Sequence, residues 1–139
     1  MDIVVLIGRI VFVALFLNSA LGHLTQTPAM AGYARSKGVP FPEASVLLSG
    51  ILMVVGAVSV VLGVWPDLGA LLLVAFLVPT ALLMHPFWKE TDPATRQNDM
   101  VHFMKDLSLA GAAFMLFGLF AIAGGEVGLT ITAPLFDQH

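Results

Sequence analysis

Four apolar runs fill nearly the whole chain: Ile3 to about Gly22, Ala44 to Val64, Leu68 to Phe87, and about Met104 to Gly125. Each is close to the ~20 residues that a helix needs to cross the hydrocarbon core of a bilayer. The first run carries one charge, Arg9, and the last opens on Lys105 and Asp106, while the two middle runs carry none. A helix on the surface of a water-soluble core would show a polar stripe every three or four residues, and these runs do not. Hydrocarbon offers backbone amides no hydrogen-bond partner, so an apolar run of this length is a helix. The expected fold class is all-α, an integral membrane four-helix bundle, with residues 1–139 forming one domain.

Composition narrows the functions available. Hydrophobic residues make up 58% of the chain and charged residues 11%, which is membrane-protein composition. The net charge of -3 includes no basic block, which excludes a nucleic-acid partner. Asp2 and the absence of Lys or Arg ahead of the first run argue for a retained helix rather than a cleaved signal. There is no cysteine, so thiolate ligands and thiol–disulfide relays are excluded within this chain. Redox chemistry would have to rest on a bound cofactor, a quinone or a partner subunit.

Four spans put both termini on one side, called side A here, together with the Trp65-Pro66-Asp67 turn. Side B holds the loops from Thr25 to Glu43 and from Trp88 to Phe103. Arg35, Lys37, Lys89, Arg96 and Lys105 lie on side B or at its edge, and Arg9 is the sole basic residue toward side A. The positive-inside rule then predicts a multi-pass cell-membrane protein with cytoplasmic side-B loops and external termini. Pro40 and Pro42 precede the second helix, with Glu43 or Ser45 placed to cap it. Pro66 follows its end and Pro93 falls in the longer loop. Pro79 lies within the third helix and is expected to kink it, while Trp65 and Trp88 sit at opposite ends as interfacial anchors.

Small residues recur at seven-residue spacing, at Ser49, Gly56 and Gly63 in the second helix and at Gly111 and Gly118 in the fourth. Such seams suit close helix contacts in a left-handed bundle. His23 ends the first helix, His85 ends the third and His102 precedes the fourth, so three imidazoles are expected at the side-B level. Lys105 and Asp106 follow His102 at the spacings that share a helix face. An ionisable group near hydrocarbon is expensive and marks a candidate functional site. His23, His85, His102, Lys105 and Asp106 suit a quinone head group, with imidazole or ammonium donors for its carbonyls and a carboxylate or His to handle a proton. The alternative is an interfacial role, with Asp106 paired to Lys105 or His102 to seat the fourth helix. No HxxxH or HxxE spacing supports a metal site, and none is predicted.

Arg9 lies roughly 9 Å below the side-A end of the first helix. It either snorkels to a lipid phosphate or turns inward to an anionic or carbonyl group of a ligand. It falls about 40° from His23 around the helix, so one face, also bearing Phe12, Phe16 and Ser19, can carry both. That aromatic stripe is equally a core face.

These residues together resemble the DoxX family of small four-helix membrane proteins over nearly the whole length. The carrying segments are Gly8-Arg9 with Gly22-His23, Leu48-Ser49-Gly50 with Gly56 and Gly63, His85-Pro86-Phe87-Trp88, and His102-Phe103-Met104-Lys105-Asp106-Leu107 leading into Gly111. The chain departs from many relatives in having Asp106 where they have Asn, and Met53 where they carry Glu. The resemblance implies a membrane subunit of, or partner to, a quinone-linked oxidoreductase, since the family name derives from a subunit of a thiosulfate:quinone oxidoreductase. The competing expectations are a non-catalytic membrane anchor or assembly subunit docking a partner enzyme, and a lipid- or small-molecule-binding protein. Expected partners are membrane lipids and either a protein partner or a second copy of the chain. Transport is disfavoured, because no span between the termini carries a central charged relay.

Overall fold

The computed structural model describes residues 1–138. It contains α1 (Asp2–Thr25), α2 (Thr27–Ser36), α3 (Pro42–Leu62), α4 (Pro66–Met84) and α5 (Pro93–Ala123). Single 3-10 turns follow α4 at Phe87–Lys89 and α5 at Gly124–Glu126. Among the described residues there is no strand. The helices α1, α3, α4 and α5 are each long and apolar enough to span a bilayer. The fold is an all-α, four-span membrane bundle whose outer faces expose large apolar side chains such as Ile7, Val11, Leu48 and Met115.

Helix boundaries depart from the sequence expectation in two places, both on side B. The loop from Thr25 to Glu43 contains α2, which lies over the side-B end of α3 and buries Ala31 and Ala34 against Val46. The fourth span begins at Pro93, not near Met104, and so has His102 inside it. Asp92 explains that early start: its carboxylate accepts from the Thr95 amide at 2.9 Å, and Pro93 occupies the first helical position, where no amide is needed. The capping bond holds the Asp92 carboxyl below the usual range. Neither Glu43 nor Ser45 caps α3; Ser45 Oγ donates instead to the Pro40 carbonyl at 2.7 Å. Helices α3 and α4 both open on proline after a left-handed aromatic residue, Phe41 at φ 47° and Trp65 at φ 44°. Proline disfavours the right-handed helical region for the residue before it, which turns the chain sharply at both corners.

The core draws one stripe from each span: Val13, Phe16 and Ala20; Met53, Ala57 and Val60; Ala70, Leu73 and Leu77; Ala110 and Ala113. Spacings of three and four keep each stripe on one helix face. α1 packs on α3, α3 on α4 and α4 on α5, and no comparably close approach joins α1 to α5.

The heptad-spaced small residues do not form single seams. Gly56 meets Leu73 and the Gly69 carbonyl of α4, and Gly69 in turn faces Ser59. Ser49 belongs to the α1 contact instead, and Gly63 ends α3 in a left-handed conformation against Thr130. A Cβ on Gly111 or Gly118 would meet open space, because α5 turns its Ala110, Ala113 and Phe120 face inward and leaves these glycines beside it.

Beyond α5 the chain folds back as a strap over side A. The Leu135 and Phe136 amides donate to the buried carboxylate of Asp67 at 2.9 and 2.6 Å. The Ile131 and Thr132 amides reach the Gly63 carbonyl, at 3.0 and 2.9 Å. Arg9 lies beneath this strap, 1% exposed, and its Nη2 donates to the Leu129 carbonyl at 2.6 Å.

Candidate functional site

At the side-B end the helices diverge and the polar side chains gather. Close approach of α1 to α3 starts this: a Cβ on Gly50 would lie 2.9 Å from the Cβ of His23. With no side chain at Gly50, the His23 ring reaches α3, where Nδ1 sits 2.8 Å from Ser49 Oγ and 3.2 Å from the Val46 carbonyl. Ser49 already donates its proton to the same carbonyl at 2.8 Å. Its oxygen is therefore left to accept, which assigns the proton to His23 Nδ1 and the lone pair to Nε2.

α3 and α4 touch at Gly56 and Gly69 and spread toward side B, enclosing a cavity of about 650 Å³ roofed by α2. That volume lies within the range of small-molecule sites, roughly 300–1,000 Å³. Its walls are apolar, from Met30, Leu52, Phe76 and Met84 among others, and its polar groups include His23, Ser49, Thr80 and His85. Ala75, Pro79 and Leu83 line it and are also exposed on α4, so the mouth opens sideways between spans. Pro79 has no amide to give the Ala75 carbonyl, and Thr80 Oγ1 back-bonds to the Phe76 carbonyl at 2.7 Å. The helix is thus locally under-bonded where it forms the wall.

A second cavity of about 140 Å³ lies between α1, α4 and α5, lined by Ser19, His23, Thr80, His85, Lys105 and Asp106 among others. His23, Phe76, Thr80 and His85 border both cavities. His85 is the hub of the polar cluster. Its Nδ1 is 3.6 Å from Asp99 Oδ1, its Nε2 is 3.7 Å from Asp106 Oδ2, and its ring stacks on His102 at 5.1 Å. His85 Nδ1 and Asp106 Oδ2 are buried, and neither has a hydrogen-bond partner. Lys105 Nζ is 3.4 Å from His102 Nδ1 and 3.6 Å from Asp106 Oδ1.

Of the sequence-predicted residues, His23, His85, Lys105 and Asp106 share the smaller cavity. His102 supports that group by stacking and borders neither cavity. Arg9 is separate, at the side-A end under the strap, although Phe16 and Ser19 of the same α1 face do line the smaller cavity. Sequence reasoning missed Ser49 as the partner of His23, missed Asp99 altogether, and took Lys37 only as a side-B loop charge. Lys37, just after α2, donates to Asp99 at 2.9 Å and to Glu90 at 3.2 Å. These bonds, chiefly that to Asp99, hold its ammonium above the usual lysine range. The stabilisation is therefore complete below the ordinary lysine value and is lost as pH rises through the higher folded one. The signal for Asp99 was Asp92-Pro93: a helix begun there places Asp99, His102 and Asp106 on one face.

The site can bind and orient a ligand with hydrogen-bonding ends and an apolar body. Among the described residues, no three His, Cys, Asp or Glu side chains are placed to hold a metal ion.

Comparison with known proteins agrees with this architecture. The DoxX family profile matches residues 4–86, which covers the first four helices. The chain is similar to the inner membrane protein YphA of Escherichia coli (strain K12), 30% identical over 128 residues that cover 91% of this chain and 88% of that protein. No solved structure matches it. With four apolar spans in this order and a profile match across more than half its length, the chain belongs to the DoxX family.

Proposed function

We propose that the side-B cavity binds the head group of a quinone, and that the protein serves as a membrane subunit of, or partner to, a quinone-linked oxidoreductase. One observation carries this reading: two imidazoles, His23 and His85, border an apolar cavity of about 650 Å³ that opens sideways between spans. The residues fit such a group. A quinone is a flat, apolar ring with carbonyl oxygens, and when bound it accepts two electrons and two protons. His23, fixed through Nδ1 by Ser49, keeps Nε2 for a ligand: neutral, it accepts from a hydroxyl; protonated, it donates to a carbonyl. The unpartnered His85 Nδ1 and Asp106 Oδ2 give the site further hydrogen-bonding capacity. Phe76 lies edge-on to His23 at 6.1 Å and walls the cavity.

Purification in mild detergent followed by mass spectrometry of bound lipids tests the reading. Wild type is expected to retain quinone. His23→Ala is expected to retain at least about tenfold less, the effect of losing one hydrogen bond to a bound ligand in a buried site, with an unchanged melting temperature. Equal retention by the two proteins would overturn the assignment. A second reading, a non-catalytic anchor for a partner enzyme, is favoured by the open space over Gly111 and Gly118 on α5. A stoichiometric protein partner without quinone supports it.

The orientation belongs to the same proposal. Lys37 lies just after α2 and Lys89 just before α5, both at the end of the bundle that holds the cavities, which we place in the cytoplasm. A reporter active only in the cytoplasm is expected to be silent when fused after His139, and activity there would reverse the assignment.

A further inference from the structure

We infer that Asp99, His85 and Asp106 form a proton-conducting chain leading from the side-B ion-pair cluster of Lys37 and Glu90 to the smaller cavity, and through it to His23. This inference goes beyond ligand identity and holds for any occupant of the larger cavity.

Three observations carry it. The first is order. The Glu90 side chain is 28% exposed, whereas those of Asp99 and Asp106 are 3% and 7% exposed. Seven residues of α5 set Asp99 and Asp106 roughly 10 Å apart at 1.5 Å rise per residue. The His85 ring, arriving from the end of α4, fills that gap with one nitrogen toward each carboxylate.

The second is separation. An ion pair built for structure closes to about 2.7–2.9 Å. Here the two contacts stand at 3.6 and 3.7 Å, and His85 Nδ1 and Asp106 Oδ2 have no partner. Neither carboxylate holds the imidazole, so the ring is free to serve both. Asp99 is steadied from its other oxygen by Lys37 at 2.9 Å, which leaves Oδ1 facing His85.

The third is charge. Asp99 and Asp106 flank His85 and His102 stacks on its ring, while Lys37 pairs with Asp99 and Lys105 lies 3.6 Å from Asp106. A carboxylate on each side of the ring stabilises a proton in transit on the imidazole between them.

The transfer makes and breaks only N–H and O–H bonds. A proton on Asp99 passes to His85 Nδ1, and the ring releases its Nε2 proton to Asp106. Tautomer exchange then resets the imidazole. From Asp106 the smaller cavity, large enough for several waters, leads past Ser19 and Thr80 to His23. His23 Nε2, with its lone pair free, receives the proton at the wall of the larger cavity.

The test reads proton exchange rather than ligand binding, so it fails or succeeds independently of the quinone assignment. Full-length protein with ¹⁵N-labelled histidine is placed in lipid nanodiscs, and exchange of the His23 ring protons with bulk water is measured by NMR. Asp99→Asn and Asp106→Asn are each expected to slow it at least about tenfold, a modest share of what a positioned proton carrier contributes. Asp106→Glu is expected to restore it. Unchanged exchange in both Asn variants would overturn the chain. A second measurement needs no variant: in vesicles holding different pH on their two sides, the His23 and His85 resonances are expected to follow the side-B pH. Resonances that follow the side-A pH would overturn it equally.

Discussion

Gly69→Leu is expected to lower the thermal stability of this protein in detergent sharply. A Cβ at this position would collide with the Ser59 side chain and lie 2.9 Å from the Gly56 carbonyl. Ser59 cannot easily withdraw, because its hydroxyl donates to the Val64 carbonyl at 2.6 Å at the end of α3. The backbone of α3 cannot yield without separating the Met53, Ala57 and Val60 stripe from Leu73 and Leu77. Lipid tails are as apolar as the core, so no hydrophobic penalty holds the helices together once close packing is lost. A loss of about 3 kcal/mol, the upper end for overpacking, is expected. Gly56→Leu should be milder, since its nearest neighbour is the flexible end of Leu73 at 2.9 Å. Thermal melting of the purified variants measures both, and a Gly69→Leu protein that melts like wild type would refute the close α3–α4 contact.

Asp67→Ala is expected to release the C-terminal strap. Both carboxylate oxygens of this buried side chain accept backbone amides, from Leu135 and Phe136. Bonds to a charged group contribute about 1.5–3 kcal/mol each, so the pair accounts for roughly 3 kcal/mol or more of local docking. The substitution should make residues 127–138 sensitive to limited proteolysis while the spans stay intact. Asp67→Asn, which keeps one acceptor oxygen, should show an intermediate effect. Equal protection of the strap in all three proteins would mean that the bonds to Gly63 and Arg9 suffice to hold it.

What the sequence revealed and what it hid divide along physical lines. The spans were legible because twenty apolar residues in a row leave a chain no other low-energy choice. The convergence of His23 and His85 was legible because both close helices on the same side. Asp99 was hidden by its surroundings: residues 92–99 are mostly polar, and apolar periodicity is blind to a helix that continues past the hydrocarbon. The ten residues of α2 were hidden similarly, since its mean composition is nearly neutral and its packing on Val46 stabilises it. Arg9 was recognised as costly, but its acceptor, the Leu129 carbonyl, lies 120 residues along the chain and leaves no local mark. The open faces of Gly111 and Gly118 show that seven-residue spacing places glycines on one stripe without telling which stripe is packed.

The unequal closure of α3 on α4 has a consequence for supply. The two helices are sealed at Gly56 and Gly69 and part only beyond Leu52 and Ala75, so the lateral mouth lies within one leaflet of the bilayer. A molecule that flips freely across the membrane reaches it from either monolayer after one crossing. An amphiphile with a fixed charge crosses slowly, because that charge must pass the hydrocarbon midplane. It is admitted only if it is synthesised or delivered on the same side as the mouth. If the cavity takes a lipophilic ligand, as proposed above, the fold sorts candidates by the monolayer they occupy before any side chain in the cavity touches them.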